Sequence, residues 1–247
     1  MGKHNHFTHA IHDIKKYAKI SAKEWKQIPW VIFATAFVLT FNKWGTVRFD
    51  FERGLANLFI AFLFVGIFWI GQLYLKKIIA TKLGYDTNYE WSLVGIIITI
   101  FIAFLSFGYV SVLLLGTTKI SQNDRRRLGK HRFALNQKDV FRIHGYSYLF
   151  NYLIILLILA PIYVITQSLF IDMLIKINLA LIFFPLLPFP KNDGIYMLFA
   201  SKNLYFLVLI FAIIMSILIL WGQIFSFIIA LILALLFWQF IMRMFKL

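Results

Sequence analysis

Long apolar stretches separated by short polar or basic ones make up most of the chain. The apolar stretches cover residues 29–41, 55–75, 91–115, 148–169, 173–187, 204–220 and 223–242. A helix needs roughly 20 apolar residues to cross the hydrocarbon core of a bilayer. The pattern predicts an all-α integral membrane protein with about six or seven membrane segments, one of them a proline-broken span.

Composition supports the bilayer as the solvent of this chain. Of the 247 residues, 61% are hydrophobic and 14% are charged, whereas soluble domains have about 45–50% and about 25%. No stretch is long and polar enough for a second globular domain, so residues 28–247 are predicted to form a single polytopic membrane domain. The chain has no cysteine, which excludes disulfides, thiolate metal sites and thiol catalysis.

The first 27 residues form a polar, basic segment ahead of the membrane domain. Phe7, Ile11 and Ile14 recur there at helical spacing among lysines. This spacing predicts an amphipathic helix lying on the membrane surface.

The third apolar stretch, residues 91–115, is interrupted by a glycine at position 108. If it crossed the membrane, the basic positions Lys76 and Lys77 and the basic loop 117–147 would lie on opposite sides. A re-entrant hairpin bent near Gly108 places both in the cytoplasm, as the positive-inside rule requires. We therefore predict the hairpin, and a multi-pass protein of the cell membrane with a cytoplasmic N-terminus and cytoplasmic basic loops.

Net charge is +15, and the same topological rule accounts for it, so no specific nucleic acid partner is expected. The basic loop concentrates this charge. We expect either a purely topological role for the loop or contact with anionic lipid headgroups, through Arg125, Arg126, Arg127, Lys130 and Arg132.

A proline-rich segment follows the apolar stretch that ends at residue 187. Prolines at 185, 188 and 190 cannot sustain a helix, and broken backbone at membrane depth is tolerated only inside protein or beside a cavity. The acidic Asp193 in this setting is a functional candidate. Two interpretations stay open: Asn192 or Asp193 caps a short following helix, or Asp193 makes polar contact with a bound partner.

The string Phe-Pro-Leu-Leu-Pro-Phe-Pro-Lys-Asn-Asp-Gly at 184–194 resembles a motif of the archaeal-type site-2 proteases, intramembrane metalloproteases whose motif reads approximately F-N-L-L-P-x-P-P-L-D-G. Two upstream stretches, 85–95 and 139–152, resemble family segments in the same order. The resemblance covers about residues 60–205. The family-motif residues that survive are Asn151, Pro188, Pro190, Asp193 and Gly194, and the family uses the aspartate as a zinc ligand.

The family's HExxH motif aligns with residues 71–75, where this chain has Gly71, Gln72 and Leu75 in place of the two histidines and the glutamate. Gln72 has no carboxylate that could act as a general base. A catalytic zinc normally needs about three protein ligands, and only the remnant position Asp193 is left. The resemblance therefore implies a pseudoprotease with no catalytic residues, no metal and no cofactor, which binds transmembrane protein partners in a membrane complex.

Two alternatives stay open at this point. The first is an active intramembrane zinc metalloprotease with a relocated ligand set, which would need an unexpected histidine or carboxylate beside Asp193. The second is a transporter or channel subunit lined by the broken segment. His144 is expected at the membrane interface rather than as a ligand, because it precedes the apolar stretch at 148–169.

Overall fold

The computed structural model describes residues 18–44, 49–122 and 136–245, and it is mostly helical. The first part of the chain gives α1 (Ala22–Thr40), a 3-10 turn (Phe41–Lys43), α2 (Phe51–Leu83), β1 (Tyr85–Trp91), α3 (Leu93–Leu105) and β2 (Gly116–Gln122). The second part gives α4 (Gln137–Ile154), a π-helical turn (Ile155–Leu159), α5 (Ala160–Thr166), α6 (Leu169–Leu186), α7 (Asp193–Ala200), α8 (Lys202–Trp221) and α9 (Ile224–Phe245).

Four helical stretches are long and apolar enough to cross a membrane: α2, the continuous run Gln137–Thr166, α6 and α8. The chain is therefore a mostly helical protein with the features of a multi-pass membrane protein. The 33 residues of α2 extend for about 50 Å at 1.5 Å per residue, which exceeds the ~30 Å hydrocarbon core. One end of α2 consequently extends beyond the apolar layer.

The all-α prediction is wrong in one respect, because β1 and β2 pair as a two-stranded antiparallel sheet. The register runs from Tyr85 opposite Gln122 to Trp91 opposite Gly116. Apolar and aromatic residues alternate with polar ones along β1, so that Tyr85, Thr87 and Tyr89 are buried and the residues between them are not. This period of two is typical of a strand with one buried face.

The third apolar stretch turns back near Gly108, and its two ends meet at the sheet; its re-entrant placement in a membrane stays a prediction. Helix α3 ends in a turn at Gly108, whose φ is +77°. A Cβ at Gly108 would lie 2.7 Å from the Asn42 backbone nitrogen, so only glycine fits the bend. The chain then returns in extended form, and the Ser92 N–H donates to the Leu115 carbonyl at 3.2 Å. Both ends of the stretch thus lie at the sheet.

Side chains form hydrogen bonds with several backbone groups of the segment between Gly108 and β2. The Val110 N–H donates to Ser106 Oγ at 3.2 Å, and the Leu114 N–H donates to Thr99 Oγ1 at 2.9 Å. Asn192 Nδ2 donates to the Leu113 carbonyl at 3.4 Å. These bonds meet the requirement that backbone polar groups outside helices be paired within the protein at membrane depth.

The proline segment separates α6 from α7, as the sequence predicts for a broken span. Helix α6 continues past Pro185 and stops at Leu186, and the exposed Pro188 and Pro190 lie in the loop before α7. A Cβ on Gly194 would lie 2.0 Å from the Leu186 carbonyl oxygen. Glycine at this position therefore allows the first turn of α7 to pack directly on the end of α6.

Two of the sequence-based expectations fall outside the part of the chain that the structure describes. The apolar positions of the N-terminal amphipathic helix belong to residues 1–17. The lipid-contact candidates belong to residues 123–135, and they are Arg125, Arg126, Arg127, Lys130 and Arg132. Both expectations stay predictions.

Candidate functional site

Asp193 lies at the first position of α7 and is 2% exposed. Its carboxylate forms an ion pair with the Lys76 ammonium. Tyr148 OH donates to Oδ2 at 2.6 Å, while Thr117 Oγ1 and the Thr118 N–H donate to Oδ1 at 2.8 and 3.3 Å. Four donors from α2, α4 and β2 therefore meet on one carboxylate, and the cluster of Asp193 with these donors is called here the Asp193 cluster.

The capping interpretation does not describe this arrangement. Asn192 occupies the N-cap position of α7, but its side chain makes no capping bond; Nδ2 donates instead to the Phe184 carbonyl at 3.0 Å and to Leu113. Asp193 reaches across to other elements rather than to its own helix. The partial positive charge of the helix N-terminus still favours a carboxylate there.

Opposing effects act on the ionisation of Asp193. Burial raises the pKa of the carboxyl group, but the Lys76 ammonium and His144 together outweigh burial, so the pKa lies well below its usual value. The Lys76 Nζ also lies 5.1 Å from the centre of the Tyr148 ring, within the range of a cation–π interaction. Asp193 is therefore held as a carboxylate with its counter-charge in place.

A second buried ion pair lies beside the first. Lys77 Nζ is 2.9 Å from Glu24 Oε1 and donates to the Thr87 carbonyl at 2.7 Å. Glu24 also accepts from the Tyr89 N–H at 2.7 Å and closes a capping box with Ser21 at the start of α1. This pair joins α1, α2 and β1.

Lys76 and Lys77 are predicted from the sequence as cytoplasmic basic positions, and the structure corrects this by placing both side chains inside the protein. They are 6% and 3% exposed, and α2 continues beyond them to Leu83. Each lysine is tolerated in the interior because a carboxylate distant in sequence neutralises it. The hairpin prediction therefore rests on strand pairing and on the bend at Gly108, not on these two charges.

Gln72 and Lys76, rather than Gly71 and Leu75, face Asp193. Both line a cavity of about 20 Å³ with Asp193 and Pro185, and Gly71 and Leu75 are not among its lining residues. Gln72 and Lys76 are separated by four residues, so they lie on one face of α2. A cavity of this size holds about one water molecule, which is far too little space for a peptide segment.

His144 lies inside the protein rather than at the interface. It is fully buried on α4, and its Nδ1 is 3.3 Å from Asp193 Oδ2. Neither ring nitrogen has a hydrogen-bond partner among the described residues. Sequence reasoning missed this proximity, although a helical repeat places His144 and Tyr148 on one face of α4.

Asn151, another family-motif remnant, lies one turn further along α4 and does not line the cavity. It is fully buried, and within the described chain its amide nitrogen and oxygen have no partner. Asn178 Nδ2 donates to the Asn151 backbone carbonyl at 3.4 Å. Gln72 Nε2 likewise has no hydrogen-bond partner among the described residues.

The side chains at this site do not fit the zinc that site-2 proteases bind. Asp193 and His144 are two zinc-ligand types, and the described residues contain no group of three or more His, Cys, Asp and Glu side chains that could hold a metal. The Lys76 ammonium lies on the carboxylate oxygen that a cation would need. The Lys76 ammonium therefore takes the place that a metal cation would occupy beside Asp193.

The two edges of the sheet differ. The Ser92 N–H donates to the Leu115 carbonyl, which fixes the hydrogen-bonding pattern of the sheet. In that pattern, the backbone N–H and carbonyl groups of alternate residues point away from the partner strand, towards the outer edge. The outward groups of β1 are occupied: the Trp91 N–H donates to Gln27 Oε1 at 3.3 Å, and Glu24 and Lys77 bond Tyr89 and Thr87.

Along β2, the outward Thr118 N–H donates to Asp193. The outward Ile120 N–H donates no hydrogen bond, and its carbonyl accepts none, within residues 18–44, 49–122 and 136–245. Beside this open edge lies a groove of about 420 Å³, here called the β2 groove. It is lined by Thr118, Lys119, Ile120, Gln137, Val140, His144, Tyr196, Phe199 and Ala200.

Comparison of the chain with protein-family models, with curated proteins and with solved structures finds no match. The resemblance to site-2 proteases therefore depends on the motif residues described above.

Proposed function

We propose that this chain is a non-catalytic, site-2-protease-like membrane protein that binds an extended segment of a transmembrane partner. The observation that carries this proposal is the outer edge of β2 beside the β2 groove, where Ile120 makes no main-chain hydrogen bond to any described residue. Extended peptides add to exposed sheet edges, where main-chain hydrogen bonds supply affinity and side-chain pockets supply specificity.

The chemistry of the groove suits such a segment. Ile120 offers its main-chain N–H and carbonyl, while Val140 and Phe199 offer apolar surface. At the rim, Lys119 Nζ lies 2.6 Å from Glu90 Oε2, and both side chains are more than half exposed. Exposed charges of this kind discourage unselective pairing of edge strands, and their exposure leaves them able to contact a partner's polar side chains.

The Asp193 cluster supports the non-catalytic part of the proposal. Its carboxylate is committed to Lys76, Tyr148 and Thr117, and the adjoining cavity of about 20 Å³ has no space for a scissile peptide bond. His144 is the extra ligand type that an active enzyme with a relocated site would use, but Lys76 competes for the same carboxylate. Binding is therefore the function favoured over hydrolysis.

The proposal also includes topology. With the re-entrant hairpin entering and leaving on one side, we place the sheet, the N-terminus and the basic loop on the cytoplasmic side of the cell membrane. The partner segment would then be the stretch next to a transmembrane helix where the chain emerges on that side.

Replacing Ile120 by proline tests strand addition directly. Proline removes the outward N–H of Ile120, which makes no bond within the sheet, so the fold should tolerate it as edge strands do. A photo-crosslinking residue at Phe199, in the groove, should capture defined transmembrane proteins in membranes. With Ile120→Pro in the same chain, capture should fall by at least about tenfold, since main-chain bonds dominate this recognition mode.

The matched control is Ile120→Val, which keeps the N–H and the branched side chain and should leave capture unchanged. Thermal unfolding of both variants separates lost binding from lost folding. Equal capture by the proline and valine variants would contradict strand addition. Cleavage of a captured partner that depends on Asp193 would contradict the non-catalytic assignment.

A further inference from the structure

A second groove lies between α6 and α8. It has a volume of about 350 Å³, and its lining includes Lys176, Ala180, Phe183, Ile213, Ile217 and Leu220. The two helices run antiparallel, so Leu220 lies near the Lys176 end and Ile213 lies near the Phe183 end. We call this the α6–α8 groove.

The α6–α8 groove opens to the surroundings of two candidate membrane spans. Ile213, Ile217 and Leu220 are 40%, 56% and 58% exposed, although each is apolar, which is typical of a surface that contacts lipid chains. The small Ala180 side chain leaves room for a chain between the helices. In a bilayer, the material in contact with this surface is acyl chain.

A charge cluster lies at one end of the groove. Lys176 Nζ is 2.6 Å from Asp172 Oδ2, and the lysine side chain is 59% exposed. Lys43 lies close by: burial and the Lys176 ammonium lower its pKa, while Asp172 raises it. Lys176 pairs with Asp172 and Lys43 adds a second ammonium, so the three side chains together carry one net positive charge at the end of an apolar groove.

This cluster is remote from the Asp193 cluster. Lys43 follows the C-terminus of α1, and Asp172 and Lys176 lie in the first two turns of α6, whereas Asp193 follows the other end of α6. An ionisable residue within an apolar span is costly and marks a functional site by default. Neither the β2 groove nor the Asp193 cluster involves Lys43 or Lys176.

We propose that the α6–α8 groove binds one phospholipid with an anionic headgroup, with an acyl chain between α6 and α8 and the phosphate at Lys176 and Lys43. Charge complementarity selects this occupant, because the net positive charge lies where an acyl chain in the groove would carry its headgroup. An uncharged lipid would fill the groove but would leave the second ammonium without a partner.

Native mass spectrometry of the full-length protein tests the proposal with phosphatidylglycerol and phosphatidylcholine carrying identical acyl chains. The wild type should retain phosphatidylglycerol in preference. Lys176→Gln should reduce that preference about fivefold, the factor that corresponds to about 1 kcal/mol per charge near the membrane surface. Asp172→Asn should increase it by a similar factor, because the competing carboxylate is gone.

Two further variants separate the charge from the groove. Ile217→Trp fills the groove at an exposed position and should weaken binding of both lipids. Lys202→Gln removes an exposed lysine at the far end of α8 and should change neither.

Equal retention of the two lipids by the wild type would overturn the proposal, as would equal effects of Lys176→Gln and Lys202→Gln. Full competition by free glycerol phosphate would also overturn it, because the acyl chain would then contribute nothing.

Discussion

The adjacent lysines Lys76 and Lys77 of α2 each reach a buried carboxylate, but the two carboxylates lie in different surroundings. Glu24 accepts from Lys77, from the Tyr89 N–H and from the Ser21 N–H. The first two contacts connect α1 to α2 and to β1, and the third belongs to the capping box at the start of α1. The Glu24–Lys77 pair is a fully bonded clamp.

The Asp193 carboxylate also accepts several hydrogen bonds, but neighbouring polar side chains have unpaired atoms. His144 and Gln72 lie beside it with polar nitrogens that have no partner among the described residues. Buried polar groups in proteins are nearly always paired, and exceptions are common where a site serves a purpose other than stability. The comparison indicates that every bond around the Glu24–Lys77 pair contributes to the fold, whereas polar groups beside the Asp193 cluster are left unpaired among the described residues.

The largest expected effect comes from breaking the clamp with Lys77→Met. The variant leaves the Glu24 carboxylate buried without its counter-charge, which costs about 3–5 kcal/mol. The measurement is the free energy of unfolding in detergent micelles. Lys82→Met, at an exposed position six residues after Lys76 on the same helix, is the control and should change stability by less than about 0.5 kcal/mol. A small effect of Lys77→Met would mean that the clamp is not structural.

A smaller effect is expected from Tyr148→Phe in the Asp193 cluster. The variant removes one hydrogen bond to a charged acceptor, which is worth about 1.5–3 kcal/mol. Tyr205→Phe is the matched control, because Tyr205 is equally buried and its OH donates to the neutral Leu186 carbonyl at 3.1 Å; its cost should be about 0.5–1.5 kcal/mol. If the two variants lose the same stability, Asp193 does not carry the charge assigned to it.

The smallest effect on stability is expected from His144→Phe. The ring nitrogens of His144 make no hydrogen bond, so an apolar ring of similar shape should change the unfolding free energy by less than about 1 kcal/mol, in either direction. Asn192→Leu, which loses bonds to Phe184 and Leu113, should cost about 1–3 kcal/mol in the same measurement. A large loss in His144→Phe would place His144 among the structural groups and would remove the contrast with Glu24.

Much of the helical framework could be predicted from apolar run length alone. The apolar cores of α2, α6 and α8 coincide closely with predicted stretches, and the bend at Gly108 and the break after Leu186 follow from residues with special backbone behaviour. The strands were missed because a short polar segment between apolar runs resembles a loop. The alternation of Tyr85, Thr87, Tyr89 and Trp91 was the available signal.

The sequence by itself determined that this protein needs an apolar solvent and where its chain bends, because run length and the local chemistry of glycine and proline act within a few residues. It also singled out Asp193, since an acidic residue beside broken backbone is unusual. Only the tertiary structure decided which lysine neutralises Asp193, that His144 lies beside it, and that no described residue bonds the outward main-chain groups of Ile120 in β2. These depend on residues 49 to 117 positions apart along the chain, and no local pattern encodes which distant charges will meet.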